Sequence, residues 1–403
     1  MARTGSRDVF EPGTRRMDVS GLRINNERAV LTAIATTPGY SAAEIARATG
    51  LGAQSVSRIV AELEATGLVR RGEARRGLRG QPATPLFIDS NGVFSLGCEL
   101  GWRHYHILIR NFTGDVLGEH RRDYAFPDVD VVFNEIGSLA RLLVGLVPQE
   151  FRSRIIGMGL AMPSGIGRNI DLVGGSADQA ARWSELDILA AAEAASGLEI
   201  VPFNDGNAAC WAELAAFSPP RPANMAYFQV GTFVAAGLIA EGRLWEGPTG
   251  NSADLGSMLV PDRNGRLDFV HLVASLYALE KRIAEAGMEV PTGNPQSWPW
   301  DALEPVVSGW LEDASRVLAI AIANTHALME FSVALLDGDL PRPLVERLVE
   351  RIRQQANELP ILTSDRPSIR IGRHGAAAAA RGAALKPIYR RFFSRDPSDF
   401  PQE

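Results

Sequence analysis

Gln54, Ser55, Ser57 and Arg58 cluster at one end of a short helical pattern and carry the donors and acceptors that read nucleic acid. An amide can pair bidentately with adenine, hydroxyls suit base edges or phosphate oxygens, and a guanidinium takes guanine or phosphate. Val56, Ile59, Val60 and Leu63 recur at helical spacing and must face inward. The four polar side chains then lie at or near the outward N-terminal turn, where a recognition helix makes its contacts. Farther on, Arg75, Arg76 and Arg79, with Gln81 beside them, supply a second basic group.

The surrounding elements fit that chemistry. Ser41 with Glu44 three residues on is a capping box, and Ala42, Ile45, Ala46 and Ala48 give the helix it starts an apolar side. Leu51-Gly52 makes a turn into the next helix, which stops at Thr66-Gly67 before the strand Leu68–Arg71 and an arginine-bearing wing. An earlier helix is expected over Asn25–Thr37, closed by Pro38-Gly39. This is the layout of a winged helix-turn-helix. The plainer alternative is a helical hairpin for protein contact, with arginines for solubility. Charge favours DNA. Residues 1–90 hold 13 Arg, no Lys and 9 acids, about +4, on a chain whose net charge is −6.

A chain of 403 residues, 46% apolar and 22% charged, is expected to form two or three globular domains. Cys98 and Cys210 stand far apart and support neither a disulfide framework nor a thiolate zinc site. The N-terminus lacks an apolar signal-peptide core, and Val317–Leu336, interrupted by Asn324, His326 and Glu330, reads as a buried helix rather than a membrane span. A cytoplasmic protein is expected. Residues 1–20 read as a disordered tail, and Gly80-Gln81-Pro82 opens an extended linker. Beyond it, strands are expected at Phe94–Leu100, Tyr105–Arg110 and Val116–His120, a helix near Asp130–Leu146, and a strand at Ile155–Ala161. A similar strand–turn–strand set begins at Met225, an internal echo that predicts two related lobes. From about 303 to 390 the chain reads as mostly helical. His104 and His106 should share one strand face, Trp298 and Trp300 should pack a surface loop, and Arg390-Arg391 should be a solvated end.

Several motifs then fall in a fixed order. They are the helix-turn-helix, Gly80-Gln81-Pro82, Glu99-Leu100-Gly101, Asn204-Asp205-Gly206-Asn207, Gly231-Thr232, and the run Gly250 to Gly256. In this the chain resembles the ROK family (repressors, open reading frames and kinases), specifically its repressor branch. The resemblance implies an α/β protein, an N-terminal winged helix-turn-helix followed by a two-lobed body of the actin-like ATPase type. On that basis residues 21–88 form the DNA-binding domain with its linker, 92–205 lobe one, 206–390 lobe two with the C-terminal helices, and 391–403 a tail.

Kinase members of the family use two glycine-rich hairpins around the ATP phosphates, because only backbone without side chains approaches so closely. This chain has Trp102 and Arg103 in the first hairpin and Phe233, Val234 and Ala235 in the second, which argues against a kinase. Asp205 matches the kinases' catalytic base and would remain as an acceptor for a sugar hydroxyl. By the same resemblance, Gly165, Asn204, Asp205, Asp254, Ser257 and Asp268 are the candidate sugar contacts. Read alone, Asn204-Asp205-Gly206 is a helix cap or turn. The family's zinc motif is missing, since Ser257 replaces its His and residues 261–266 hold no cysteine, so no metal or cofactor is expected. That loop should be ordered by packing or salt bridges instead, with Asp268 a candidate partner. The expected partners are an inverted-repeat double-stranded operator, a small sugar or sugar-derived effector, and a second copy of the chain; no membrane is expected. Arg79 and the Gly80-Gln81-Pro82 turn could reach a minor groove, with Gln81 weaker there than the Arg of relatives. A sugar kinase fused to a DNA-binding head and a ligand-independent dimeric DNA-binding protein are the alternatives.

Overall fold

The structure, a computed structural model, describes residues 19–73, 84–251, 253–360 and 365–394. It divides into two compact units. One holds the chain to Gly92 together with Ile388 onward, and the other is Val93–Pro387.

The first unit contains helices α1 (Val19–Thr36), α2 (Ala42–Thr49) and α3 (Ala53–Ala65) and the antiparallel strands β1 (Val69–Arg71) and β2 (Leu86–Ile88). The expected capping box is present. The Ser41 hydroxyl accepts from the Glu44 amide, and the Glu44 carboxylate accepts from the Ser41 amide at 2.7 Å. Gly50 ends α2 in the left-handed region at φ 72°, where only glycine is unstrained. Val56, Ile59, Val60 and Leu63 pack with Val30, Leu31, Ile34 and Ile45 into one small core. Helix α1 begins earlier than the expected Asn25. Its first turns lack apolar periodicity, but buried Arg28 donates to the Ser394 carbonyl at 2.6 Å, and Phe392 and Phe393 pack on the same core. A contact from the far end of the chain thus supplies what local pattern does not. The turn Tyr389–Phe393 is helical for the same reason, and Arg391 of the expected solvated pair Arg390-Arg391 is exposed on it.

In the second unit the chain runs through β3 (Phe94–Leu100), β4 (His104–Asn111), β5 (Val116–Asp123), α4 (Val129–Val144) and β6 (Ile155–Met162). It continues through α5 (Ile166–Asn169), α6 (Ala177–Glu185), α7 (Ile188–Ser196), β7 (Ile200–Asn204) and α8 (Asp205–Ala216). Lobe two follows with β8 (Met225–Val230), β9 (Val234–Ala240), β10 (Arg243–Leu244), β11 (Leu259–Pro261) and β12 (Leu267–Phe269). Helices α9 (Val270–Ala274), α10 (Leu276–Glu285) and α11 (Trp300–Met329) lead to β13 (Val333–Gly338), α12 (Arg342–Glu358), β14 (Ser368–Ile371) and α13 (Ala378–Ile388).

The two main sheets are duplicates in topology. Their orders are β5-β4-β3-β6-β7 and β10-β9-β8-β13-β14. Each is an antiparallel meander with two parallel strands added beside its first strand. The echo between residues 94–120 and the block from Met225 is therefore a structural repeat. One sequence expectation fails in the second lobe. Val317–Leu336 is not one helix, because α11 stops at Met329 and Val333 opens a strand. The stretch from about 303 to 390 is mostly helical as expected, with β13 and β14 set between its helices. All six residues of β13 are buried, so the strand lacks the alternation that would distinguish it from a buried helix.

Helices α8 and α13 carry the contact between the lobes. Ala208, Ala209 and Cys210 of α8 and Ala378, Ala379 and Ala383 of α13 share one core with strands of both sheets. The alanine run permits this close approach. A Cβ on Gly382 would collide with the Ala208 carbonyl oxygen, and one on Gly97 of β3 with the Ala380 carbonyl. No helix among the described residues is long and apolar enough to cross a membrane. Gly382→Val should destabilise the second unit by about 2–3 kcal/mol, as overpacking against backbone does, read as a lowered urea midpoint; an unchanged midpoint would contradict this packing.

Candidate functional site

Two surfaces collect the polar chemistry, one in each unit. On the first, Gln54, Ser55, Ser57 and Arg58 are all exposed on the first turns of α3. Gly52 caps that helix without a side-chain hydrogen bond, which leaves its first amides and the positive end of its dipole to an anion such as phosphate. Arg58 also pairs with Glu62 one turn on at 2.8 Å, and Arg23 reaches the same carboxylate at 3.1 Å. Sequence reading missed this partner, although the i,i+4 spacing was visible. At the base of the wing, Arg71 forms a forked pair with Glu64 and Arg70 lies over the Phe87 ring. Arg75, Arg76, Arg79 and Gln81 lie outside the described residues.

On the second unit a cleft of about 410 Å³ opens between the lobes, within the size range of small-molecule sites. The hairpin loop joining β3 to β4 and its duplicate joining β8 to β9 meet at its floor. Trp102 from the first and Phe233 from the second touch edge to face with centroids 5.1 Å apart and planes at 82°. Phe233 packs further on Tyr277 and His271. Ion pairs flank the aromatic contact. Arg103 meets Glu280 at 3.0 Å and Arg121 meets Asp339 at 3.3 Å, each across the two lobes.

Asn204 and Asp205 sit where β7 becomes α8, on the cleft wall. Asn204 is a helix N-cap whose side-chain oxygen accepts from the Asn207 amide at 3.0 Å, so the structural reading of this motif also holds. Its amide nitrogen reaches toward Ser164, which in turn contacts Asn251. Asp205 accepts from the Gly206 amide at 2.8 Å. Burial pushes its carboxyl up to about 6, with nearby Glu99 adding to the shift. Asp254 and Ser257 line the opposite wall. The His271 imidazole beside Asp254, at 3.5 Å, holds that carboxyl below its usual range. The other imidazole nitrogen, Nδ1, accepts from the Val234 amide at 3.2 Å, so Nε2 carries the proton that faces Asp254.

Two expected contacts fall elsewhere. Asp268 does not line the cleft; it lies on the β11–β12 ribbon with its carboxylate turned back to the Phe269 amide at 2.8 Å, and Phe269 and His271 reach the cleft instead. Gly165 holds a left-handed turn at φ 71°, and its neighbours Pro163 and Ser164 form the lining. Sequence reading missed Glu99, His104, Gln229, His271 and Asp339, all of which line the cleft. His104 and His106 do alternate with Tyr105 on β4, both pointing the same way. His104 lies between Glu99 at 3.5 Å and Asp339 at 4.0 Å. Trp298 and Trp300 stack on one another at 5.4 Å, away from the cleft lining.

The donor set does not fit the family's zinc. Both cysteines are buried, one in the lobe-one core and one in the core between the lobes. No group of three or more potential ligands gathers among the described residues. The loop at 261–266 is ordered otherwise: Asp262 accepts the amides of Asn264 and Arg266, and Arg263 pairs with Asp313 at 2.8 Å. Packing or salt bridges were expected there with Asp268 a candidate partner; the acid that pairs with the loop is Asp313.

Comparison with known proteins agrees with this architecture. Residues 20–80 match the MarR family model. A protein of Sinorhizobium fredii described as uncharacterized is 25% identical over 92% of this chain and 92% of its own length. The xylose repressor of Caldicellulosiruptor bescii is 22% identical over 77% of this chain and 79% of its own. A crystal structure of a ROK family transcriptional regulator, a homolog of the E. coli MLC protein, superposes with a TM-score of 0.66 at 20% identity, covering 91% of this chain and 96% of that one. The ROK family model itself matches residues 95–386, most of the chain, which therefore belongs to the ROK family.

Proposed function

We propose that this protein is a sequence-specific DNA-binding transcriptional repressor of carbohydrate-metabolism genes, whose two-lobed body senses a sugar or sugar derivative and transfers no phosphate. The observation that carries this reading is the joining, in one chain, of an exposed recognition-helix turn to a cleft whose two loop tips are filled by Trp102 and Phe233. Phosphoryl transfer needs backbone amides at the triphosphate, and an indole edge on a phenyl ring occupies that approach. Glu99, Asp205 and Asp339 line the same cleft and would repel a triphosphate whose charge no metal ion offsets.

A homodimer would set two α3 helices into successive major grooves of an inverted repeat, with the wing at adjacent backbone. Effector bound between the lobes by Asn204, Asp205, Asp254 and Ser257 would favour one lobe arrangement over another. A coupling of about 1–3 kcal/mol, or 5–150-fold in operator affinity, suffices for such a switch.

Arg58→Ala should weaken binding to an operator selected from random DNA by at least about tenfold, with effector binding unchanged. Glu62→Ala, which frees the same guanidinium, should not weaken it; a normal footprint from the Arg58 variant would contradict the assigned interface. In a coupled ADP-release assay over hexoses and amino sugars, the protein should show no turnover above background, and robust turnover with any of them would establish the kinase alternative. Burial pushes the Asp205 carboxyl up to about 6, so it should be a strong, charged acceptor for an effector hydroxyl only above that pH. Effector affinity should therefore fall on acidification below it, by at most about tenfold per unit, while Asp205→Asn gives weaker, pH-flat binding. The same raised value means that the stability contributed by this group is greatest when it is protonated and declines as pH rises through about 6. A wild-type binding profile flat from pH 5 to 8 would remove Asp205 from the effector site.

A further inference from the structure

The floor of the cleft holds two buried acceptors without a donor, and one donor, His104 Nε2, without a hydrogen-bond acceptor. Glu99 and Gln229 are 4% and 5% exposed, and Glu99 Oε2 and Gln229 Oε1 are both without a hydrogen-bond partner. Each lines the cleft, from the first strand of its own lobe. A buried acceptor left unmatched is costly, so the two together call for a ligand that brings donors.

Charge narrows the donor's nature. Glu99, Asp205 and Asp339 all face this space. Two cationic side chains beside them offset part of that charge. Arg121 is held by Asp123 and Asp339, and His104 lies between Glu99 and Asp339. Burial alone would lower the His104 imidazole, yet Glu99 and Asp339 outweigh it and raise it, a mark of how negative the floor is. Trp102 and Phe233 also line the cleft, and aromatic faces attract ammonium groups that carboxylates have partly desolvated. A hydroxyl gives one donor and no charge. A protonated amine gives three donors, a positive charge and no acceptor to leave unmatched.

We infer that the cleft floor is an ammonium subsite, formed by Glu99 and Gln229 near Asp205 and beside the Trp102–Phe233 pair, and that the effector is an unphosphorylated sugar or polyol bearing a free amine. This rests on the sugar-sensing reading and specifies its ligand. A phosphorylated effector would bring anionic charge to the same carboxylates and is disfavoured on that ground.

The test is isothermal titration of the full chain with matched sets: glucosamine, galactosamine and mannosamine, their parent hexoses, their N-acetyl derivatives and their 6-phosphates. For at least one skeleton the free amine should bind about tenfold or more tighter than the parent, as charge-assisted bonds exceed neutral ones. Acetylation and phosphorylation should each remove that gain. Glu99→Gln should reduce the preference to near unity, and Gln229→Leu should weaken it independently, each checked by its melting curve. If neutral hexoses or N-acetyl forms bind as well as the amines or better, the ammonium subsite is overturned while sugar sensing stands. If none of these compounds binds, both fall. A preference retained in whichever variant folds places the amine elsewhere and also overturns the assignment.

Discussion

The edge-to-face contact of Trp102 with Phe233 is where the body of this protein acquires its character. The duplicated sheets bring two equivalent hairpin loops to one point, and in a phosphate-binding version of this architecture glycine keeps that point open. Here two rings close it. An aromatic pair contributes about 0.5–1.5 kcal/mol beyond the area it buries, and this one is backed by half-buried Arg103 with Glu280 and by Arg121 with Asp339. Side chains thus supply lobe-to-lobe adhesion that a nucleotide would otherwise supply. On the proposed reading, closure responds to an effector beside the rings rather than to a triphosphate between them.

The remainder of the body is consistent with that arrangement. Helices α8 and α13 pass between the sheets on alanine and glycine, so the lobes approach backbone to backbone on one side while the aromatic pair and its ion pairs join them at the cleft floor. Close-packed interfaces of this kind have few intermediate positions available. A ligand can bias them only by binding one arrangement better than another. Asn204 and Asp205 stand at the first turn of α8, so the residues proposed to hold the effector are rooted in a helix that both lobes share.

Local grammar was readable from the sequence, and convergence was not. The Ser41–Glu44 capping box, the buried stripe of α3 and the strand Phe94–Leu100 each follow from neighbours within a few residues, and each is present. The repeat announced the second sheet's meander at Met225 but not its last two strands. Val333–Gly338 is buried on both faces and so shows no alternation. Asp205 and Asp254 came from motif position, whereas Glu99, Gln229 and Asp339 share a cleft only because the two sheets are superimposed copies facing one another. Asp268 illustrates the opposite error. Its motif position suggested the cleft, but a hydrogen bond to the adjacent Phe269 amide turns it aside and leaves His271 to meet Asp254.

The acids at the floor strengthen the steric argument through an independent physical effect. A ring can rotate or a loop can open by an ångström, so bulk alone is a yielding barrier. Charge is not relieved that way. Glu99 and Asp339 are almost fully buried, and Asp205 is shifted upward chiefly because its anion is poorly solvated there. Adding a polyanion to this region would raise the cost of every carboxylate already present, whatever the rings do. The same field that turns phosphate away draws a cation or a dense set of donors. On the proposed reading, exclusion of nucleotide and selection of the effector are two consequences of one charge distribution.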